Sequence, residues 1–436
     1  MVSDYLSRFG DLLRISVRRH LPLGSVLRFQ ERRLRRVVDE AYRRVPFYRD
    51  LFLRAGISPA AIRGLADLPR IPMTSKKEIK LAPPGSGFDS RFNPARLKTF
   101  RTTGSTGVPL VIRRTAAEDF LFHCFRLRSL ISYGVRPWDR VVRARNGNLD
   151  HRPLSWRLVQ LAGLFRQSIL DTAEPPRKNA ADLLQERPDV LTGYNSTLAK
   201  LARIIVCDHD TSLPLKMVVG GADMLTPLLR RQIEAAFRTR AYDTYECQEI
   251  GFLAWECRET GLYHVCDDNL IIEVLKDGRP AAEGEAGEVV ATSLHLRAMP
   301  FIRYRLEDIV TVGPSPCPCG LPYRTFRFIE AKKQDYFRLP GGEEFYPWAI
   351  SLAVIDAAPW IDRFELVQER LDRVVMRAEA RSQPSPEVVR RLVDELRPML
   401  GPDVEFVVEV VPEIAPTPGG KFWVRRSLVN SMYGEQ

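Results

Sequence analysis

One stretch of this chain is suited to gripping an anion: Arg101-Thr102-Thr103-Gly104-Ser105-Thr106-Gly107-Val108-Pro109. Its glycines let backbone approach a ligand, and its Thr and Ser hydroxyls donate hydrogen bonds to anionic oxygens. That is the chemistry of a polyphosphate-holding loop. It is not the usual P-loop, because no Gly-Lys-Ser/Thr follows at the required spacing. A hydroxyl-rich run is equally a surface turn when it stands alone, so the rest of the chain must decide. Cys257, His264, Cys317 and Cys319 are a second set with chemistry. Three thiolates and one imidazole suit tetrahedral zinc, with Cys266 as a competing ligand. Cys317-Pro318-Cys319-Gly320 would form a tight knuckle. Four protein ligands leave no open coordination position, so such a site serves folding rather than catalysis.

The elements that must position these residues read as α/β. Apolar Leu27, Leu34, Val37, Val38, Ala41 and Val45 recur at helical spacing in the first part, and Pro46 breaks the pattern. Thr74-Ser75 caps a further short helix. Val111-Ile112 reads as a strand and 116–132 as a helix. The short apolar runs 190–192 and 215–219 suit strands of a buried parallel sheet, with a helix over 197–207 between them. Thr226-Pro227 opens a helix to Phe237. The segments 269–275 and 287–292 read as strands of a later, more antiparallel section. A boundary falls at 330–342, and beyond it a β-β-α-β pattern makes a small α+β domain: strands at 364–367, 373–378 and 404–410, with a helix opened by Ser385-Pro386.

Five segments stand in a recognisable order. After the loop at 101–109 come Gly220-Gly221-Ala222-Asp223, then Tyr245-Glu246-Cys247-Gln248-Glu249, then Pro300-Phe301-Ile302-Arg303-Tyr304-Arg305-Leu306-Glu307-Asp308, then Pro416-Thr417-Pro418-Gly419-Gly420-Lys421. With Arg44-Val45-Pro46-Phe47-Tyr48 and Leu68-Pro69-Arg70-Ile71-Pro72-Met73, they resemble the adenylate-forming superfamily, and within it the phenylacetate–CoA ligase-like branch. The resemblance implies a large multi-layer N-terminal domain over 1–332 and a small mobile lid over 333–436. It implies joining of a carboxylate to the α-phosphate of ATP, release of pyrophosphate, and transfer of the acyl group to coenzyme A; an amine or carrier-protein acceptor, or a degenerate nucleotide- or acyl-binding protein, stays open. Thr102, Thr103, Gly104, Ser105, Thr106 and Gly107 would hold the β- and γ-phosphates. Gly220, Gly221 and Ala222 would let adenine lie against backbone, with Tyr245 stacked nearby. Asp308 would accept from the ribose hydroxyls, and Arg305 beside it belongs to the same nucleotide site. Glu249 would bind magnesium, a hard cation that takes oxygen ligands. Lys421 would stabilise charge on the reacting phosphate and carboxylate. The Cys/His set resembles a structural zinc site found in part of this branch.

The chain departs from the family pattern at Val108, where a lysine is usual, and at Glu246 and Glu307, where glycines are usual. Gln248 replaces a hydroxyl residue, and the hinge reads Ala331-Lys332-Lys333-Gln334-Asp335. Composition fits a globular protein of 436 residues with 45% hydrophobic and 27% charged residues, enough for two domains. No apolar run approaches a membrane span, and the first 20 residues read as an amphipathic helix rather than a signal peptide, so a cytoplasmic protein is expected. Seven cysteines are an odd number, which favours thiols or metal ligands over disulfides. The net charge of +11 suits anionic small molecules. It does not point to nucleic acid, because the arginines are spread along the chain without a basic cluster interleaved with aromatics.

Overall fold

A computed structural model describes residues 10, 15–18, 21–101, 110–145, 160–332, 336–345, 347, 350, 353–354, 357–380, 382–415 and 424–429. Helix α1 (Leu23–Arg44) buries Leu34, Val37, Val38 and Ala41 along one stripe. Helix α2 (Pro46–Arg54) opens with proline at its first position, where the missing N–H costs nothing. Helix α3 (Lys76–Leu81) begins in a capping box between Ser75 and Glu78. Strands β1 (Lys98–Arg101) and β2 (Val111–Arg114) pair antiparallel on either side of the hydroxyl-rich loop. Helix α4 (Ala116–Ser132) starts at a second capping box, Thr115 with Glu118.

Next come β3 (Val141–Arg145), β4 (Gln167–Asp171), α5 (Pro176–Glu186), β5 (Val190–Tyr194), α6 (Asn195–His209), β6 (Met217–Gly221) and α7 (Pro227–Phe237). The strands run parallel in the order β4-β3-β5-β6. β6 is buried along its length, as its unbroken apolar run requires. The chain then turns antiparallel with β7 (Ala241–Cys247), β8 (Gly251–Glu256) and β9 (Tyr263–Val265). A meander follows of β10 (Leu270–Lys276), β11 (Arg279–Pro280), β12 (Ala286–Ser293) and β13 (Tyr304–Val312), and β14 (Thr325–Lys332) returns to pair with β9. β15 (Phe337–Arg338) and β16 (Glu344–Phe345) form a ribbon. The last sheet holds β17 (Ile361–Arg370), β18 (Arg373–Ala380), β19 (Glu405–Val411) and β20 (Arg425–Ser427) in the order β19-β18-β17-β20, with α8 (Pro386–Leu396) between β18 and β19 in the chain. The expected β-β-α-β pattern is present. β20, parallel to β17, was not expected, because three residues of Arg-Arg-Ser show no apolar pattern. The fold is thus mixed α/β, with a large N-terminal domain and a small C-terminal sheet domain.

Residues 1–136 with 242–329 form one compact unit, and 137–241 with 330–436 form another. In the first, α1 and α2 pack on the meander through Leu34, Val38, Phe52, Ile271 and Ile302. Polar anchors fix the register. The Gln30 amide donates to the carbonyls of Asp267 and Leu270, and the Tyr48 hydroxyl accepts the Ile302 N–H. Arg128 of α4 is fully buried, paired to Asp268 at 2.7 Å and lying against Phe125, Trp255 and Tyr323. In the second unit, α6 and α7 cover the parallel strands, and a separate apolar cluster fills the C-terminal sheet. That sheet meets α6 through charge. Arg203 contacts Asp362 at 3.0 Å and Glu379 at 2.9 Å, and Lys200 contacts Glu413 at 3.0 Å.

His295 is a half-buried residue that the sequence did not single out. The Arg33 guanidinium donates to its Nδ1 at 2.8 Å, so Nε2 carries the proton and donates to the Asp268 carbonyl at 2.9 Å. Burial, then the facing charges of Arg33 and Arg18, push its pKa down to about 4. The unfolded chain therefore binds a proton that the folded chain refuses between pH ~6.5 and ~4. This contribution is complete above pH ~6.5 and is lost as pH falls toward 4, to a total of about 3 kcal/mol. The denaturation midpoint is expected to drop across that window, and to drop less in His295→Gln. Equal slopes for both proteins would show that His295 does not titrate this way.

Candidate active site

The loop 102–107, the hinge residues 333–335 and Lys421 lie outside the described residues. The remaining candidates divide between the two units.

In the first unit, Tyr245 sits on β7, Glu249 in the turn from β7 to β8, and Arg305 and Asp308 on β13. The structure brings them into two linked pairs. The Tyr245 hydroxyl donates to Asp308 Oδ2 at 2.5 Å, and the Tyr304 hydroxyl donates to Glu249 Oε1 at 3.2 Å. Burial, then the facing Asp308, holds the Tyr245 hydroxyl protonated far above its ordinary range; burial and Glu249 do the same at Tyr304. Both tyrosines are therefore fixed donors, and each orients a carboxylate. Among the described residues Glu249 accepts no other hydrogen bond, so its second oxygen is available to a ligand. A part-exposed carboxylate held from one side fits magnesium, which usually takes one or two carboxylates together with substrate phosphates. Arg305, also expected at the nucleotide, forks onto Glu288 at 2.8 and 2.7 Å.

A bulge explains how Asp308 reaches this position. β12 and β13 pair at Glu288↔Ile309 and again at Val290↔Arg305, so three residues of β13 stand opposite one of β12. Such an insertion bends the strand and re-aims side chains. Within it Glu307 has φ 62°, in the left-handed region. That accounts for the family's glycine here, because an L-residue carries a Cβ clash in this region. Glu307→Gly is expected to stabilise the protein by about 1 kcal/mol, read as a raised denaturant midpoint. An unchanged or lowered midpoint would mean that the Glu307 side chain contributes more than the strain costs.

The other departure, Glu246, is matched by Arg126 of α4, whose guanidinium forks onto its carboxylate. The charge that replaces a glycine thus has its own partner, which the sequence did not reveal across 120 positions.

In the second unit, Gly220 and Gly221 end β6 and Ala222 follows it. A Cβ at Gly220 would fall 1.7 Å from Asn195 Oδ1, so the glycine is required by α6 itself, whatever lies on the other side. Ala222 takes φ 68°. Asp223 then accepts from the backbone N–H groups of Asn195 and Ser196 at 2.7 and 3.1 Å, closing the N-terminus of α6. The motif's tight turn is thus built to bring strand end and helix start together.

The metal-ligand set assembles as expected. The donor atoms of Cys257, His264, Cys317 and Cys319 all lie within 4.8 Å of one another. Tetrahedral zinc with sulfur at ~2.3 Å needs sulfurs just under 4 Å apart, so the set fits. Cys319 Sγ lies 3.6 Å from His264 Nε2, and the buried His264 Nδ1 has no hydrogen-bond partner. Hydrogen bonds from His264 and Thr260 outweigh burial at Cys257 and lower its thiol to about 6, toward the ligating thiolate. Cys266 is not in the set; it is buried and sits 3.0 Å from the Arg128 guanidinium.

No family model matches the chain. The phenylacetate-coenzyme A ligase of Thermus thermophilus is 29% identical over 377 residues, covering 84% of this chain and 83% of that protein. A crystal structure of 2-hydroxyisobutyryl-CoA ligase in the postadenylation state, in complex with R3-HIB-AMP, superposes with a TM-score of 0.77 at 22% identity, covering 94% of this chain and 91% of that one. The same enzyme with 2-HIB-AMP and CoA in the thioesterification state gives a TM-score of 0.64 at 22% identity, covering 95% of this chain and 92% of that one. The ordered motifs and sequence relatives spanning five-sixths of the chain point the same way as the fold: the protein is similar to phenylacetate–CoA ligases and shares the fold of adenylate-forming acyl-CoA ligases.

Proposed function

We propose that the protein is an acid–thiol ligase that activates a carboxylic acid with ATP and passes the acyl group to coenzyme A. The observation that carries this reading is the pair of tyrosine-oriented carboxylates, Glu249 held by Tyr304 and Asp308 held by Tyr245, at the positions that the family uses for magnesium and ribose. A carboxylate oxygen of the substrate attacks the α-phosphorus and the bond to pyrophosphate breaks. The acceptor thiolate then attacks the acyl carbon, and AMP leaves. Magnesium, when bound, neutralises phosphate charge. Glu249 supplies an oxygen ligand to it, Asp308 orients the ribose, and Tyr245 packs near the adenine. Thr102 to Gly107 hold the outer phosphates, Gly220 to Ala222 flank the base, and Lys421 offsets the negative charge that gathers on α-phosphate and carboxylate. Arg305, on the same strand as Asp308, belongs to this nucleotide site, and its fork onto Glu288 braces the β13 bulge. Cys257, His264, Cys317 and Cys319 would hold zinc, which would tie β8 and β9 to the 317–319 knuckle.

The relatives point to an aromatic or other apolar acid, and the structure of 2-hydroxyisobutyryl-CoA ligase with CoA supports CoA as acceptor. Among the described residues no helix is long and apolar enough to cross a membrane. The test is thioester formation from ATP, magnesium and a panel of aryl and alkyl acids with CoA, against the same panel with amines or carrier protein. A CoA thioester from one acid class supports the reading. An acyl-adenylate passed only to amine or carrier protein would replace the acceptor. ATP binding without pyrophosphate release would leave a nucleotide-binding protein.

A further inference from the structure

Arg114 ends β2, the strand that leaves the hydroxyl-rich loop. Its side chain is buried, 5% exposed, in a chain where most arginines are solvated. The guanidinium is clamped between two aromatic rings, 4.3 Å from the centre of Phe100 on β1 and 4.7 Å from that of Phe122 on α4. One of its terminal nitrogens donates to the backbone carbonyl of Gln248 at 2.5 Å. Gln248 immediately precedes Glu249. Its nearest carboxylate is Asp119 at 3.9 Å, which Lys98 also engages at 2.6 Å. The Arg114 charge therefore shares its counter-ion, and its field reaches Cys247 and Glu249.

The backbone around Glu249 is shaped to receive this clamp. Gly251 has φ 90°, and a Cβ there would fall 2.7 Å from the Phe122 ring. The same ring thus packs on the guanidinium and on the backbone two residues after Glu249. Any other residue at 251 would push α4, and with it Arg114, away from the turn. A planar guanidinium held between two rings aims its N–H at that carbonyl, and a lysine ammonium cannot stack in the same slot.

We propose that Arg114 is a positioning residue for Glu249. It ties β2 to the turn that carries the candidate magnesium carboxylate. A sub-ångström shift of that turn would cost metal affinity before it cost acid binding. The inference rests on the adenylation reading above.

The test compares wild type with Arg114→Met and Arg114→Lys. Manganese binding in the presence of ATP is measured by magnetic resonance, and backbone hydrogen exchange is followed by segment. In both variants the manganese dissociation constant is expected to rise about tenfold, exchange at 248–251 to quicken, and the KM for the acid to stay within twofold. Lysine is expected to fail as methionine does, because it keeps the charge but loses the planar group held between the Phe100 and Phe122 rings. In wild type, ATP and manganese are expected to slow exchange at 248–251 and at 111–114 together, a readout that needs no variant to fold. Unchanged manganese affinity in a folded variant, or slowing at 248–251 without 111–114, would overturn the inference and leave adenylation standing. A wild type that binds manganese no better with ATP than without it would overturn both.

Discussion

Replacing Cys319 with serine is expected to lower the melting temperature by roughly 10 °C or more and to leave the purified protein without stoichiometric zinc. The four donors join the end of β8 and the middle of β9 to the 317–319 knuckle, which no disulfide ties down. Trp255 and Tyr323 pack around His264, with ring centres 5.1 and 6.3 Å away. Beneath them lies the buried Arg128–Asp268 pair, whose desolvated charges tolerate little disorder. Structural zinc sites supply folding free energy directly. A loss of even 3–4 kcal/mol in a unit of this size moves the transition by about 10 °C. The effect should reach the candidate active site, because β8 starts at Gly251, two residues after Glu249. Metal analysis with thermal denaturation, before and after a chelator, checks this. A chelated protein with unchanged melting and no metal would show the cluster to be four packed thiol and imidazole groups.

Replacing Lys421 with alanine is expected to reduce acid-dependent pyrophosphate release by at least ~100-fold, the loss typical when one preorganised donor to developing charge is removed. Lys421 belongs by sequence to the segment between β19 and β20, two strands of the C-terminal sheet. Its role follows from the Pro-Thr-Pro-Gly-Gly-Lys motif and the chemistry, in which two anions approach each other. Thioester formation from supplied acyl-adenylate is expected to fall far less, because that step breaks the acyl–phosphate bond instead of forming it. Rates for the two half-reactions, measured separately, test this. Equal losses in both would point to a misfolded or undocked C-terminal domain rather than a missing charge.

Local signals in the sequence carried much of the fold. The limits 116–132 for α4 and 227–237 for α7 match the structure because Thr115 and Thr226 each cap a helix by direct hydrogen bonds to backbone N–H groups. The parallel strands at 190–194 and 217–221 were visible as the apolar runs 190–192 and 215–219, each of which stops two residues short because the strands end in Gly193-Tyr194 and Gly220-Gly221. The zinc set was legible as well, since ligand chemistry is carried by residue type and its two pairs are each close in sequence. What the sequence did not show are pairings across long separations. Arg114 meets Gln248 across 134 positions, Arg128 meets Asp268 across 140, and Arg33 meets His295 across 262. An arginine bound for burial reads the same in sequence as one bound for solvent. β8 and β9 were also unread, being short and flanked by the cysteine segment. The departures at Glu246 and Glu307 looked alike in sequence. The structure separates them into an ion pair with Arg126 and a strained backbone position.

The most direct test of the central claim is acid-dependent exchange of labelled pyrophosphate into ATP, with magnesium and without CoA. Reversible formation of an acyl-adenylate requires such exchange. The expected result is exchange with one class of carboxylic acid, none without acid, and loss of the signal in Lys421→Ala and Glu249→Gln. Absence of exchange across a broad acid panel, from folded, zinc-loaded protein that binds ATP, would contradict the account.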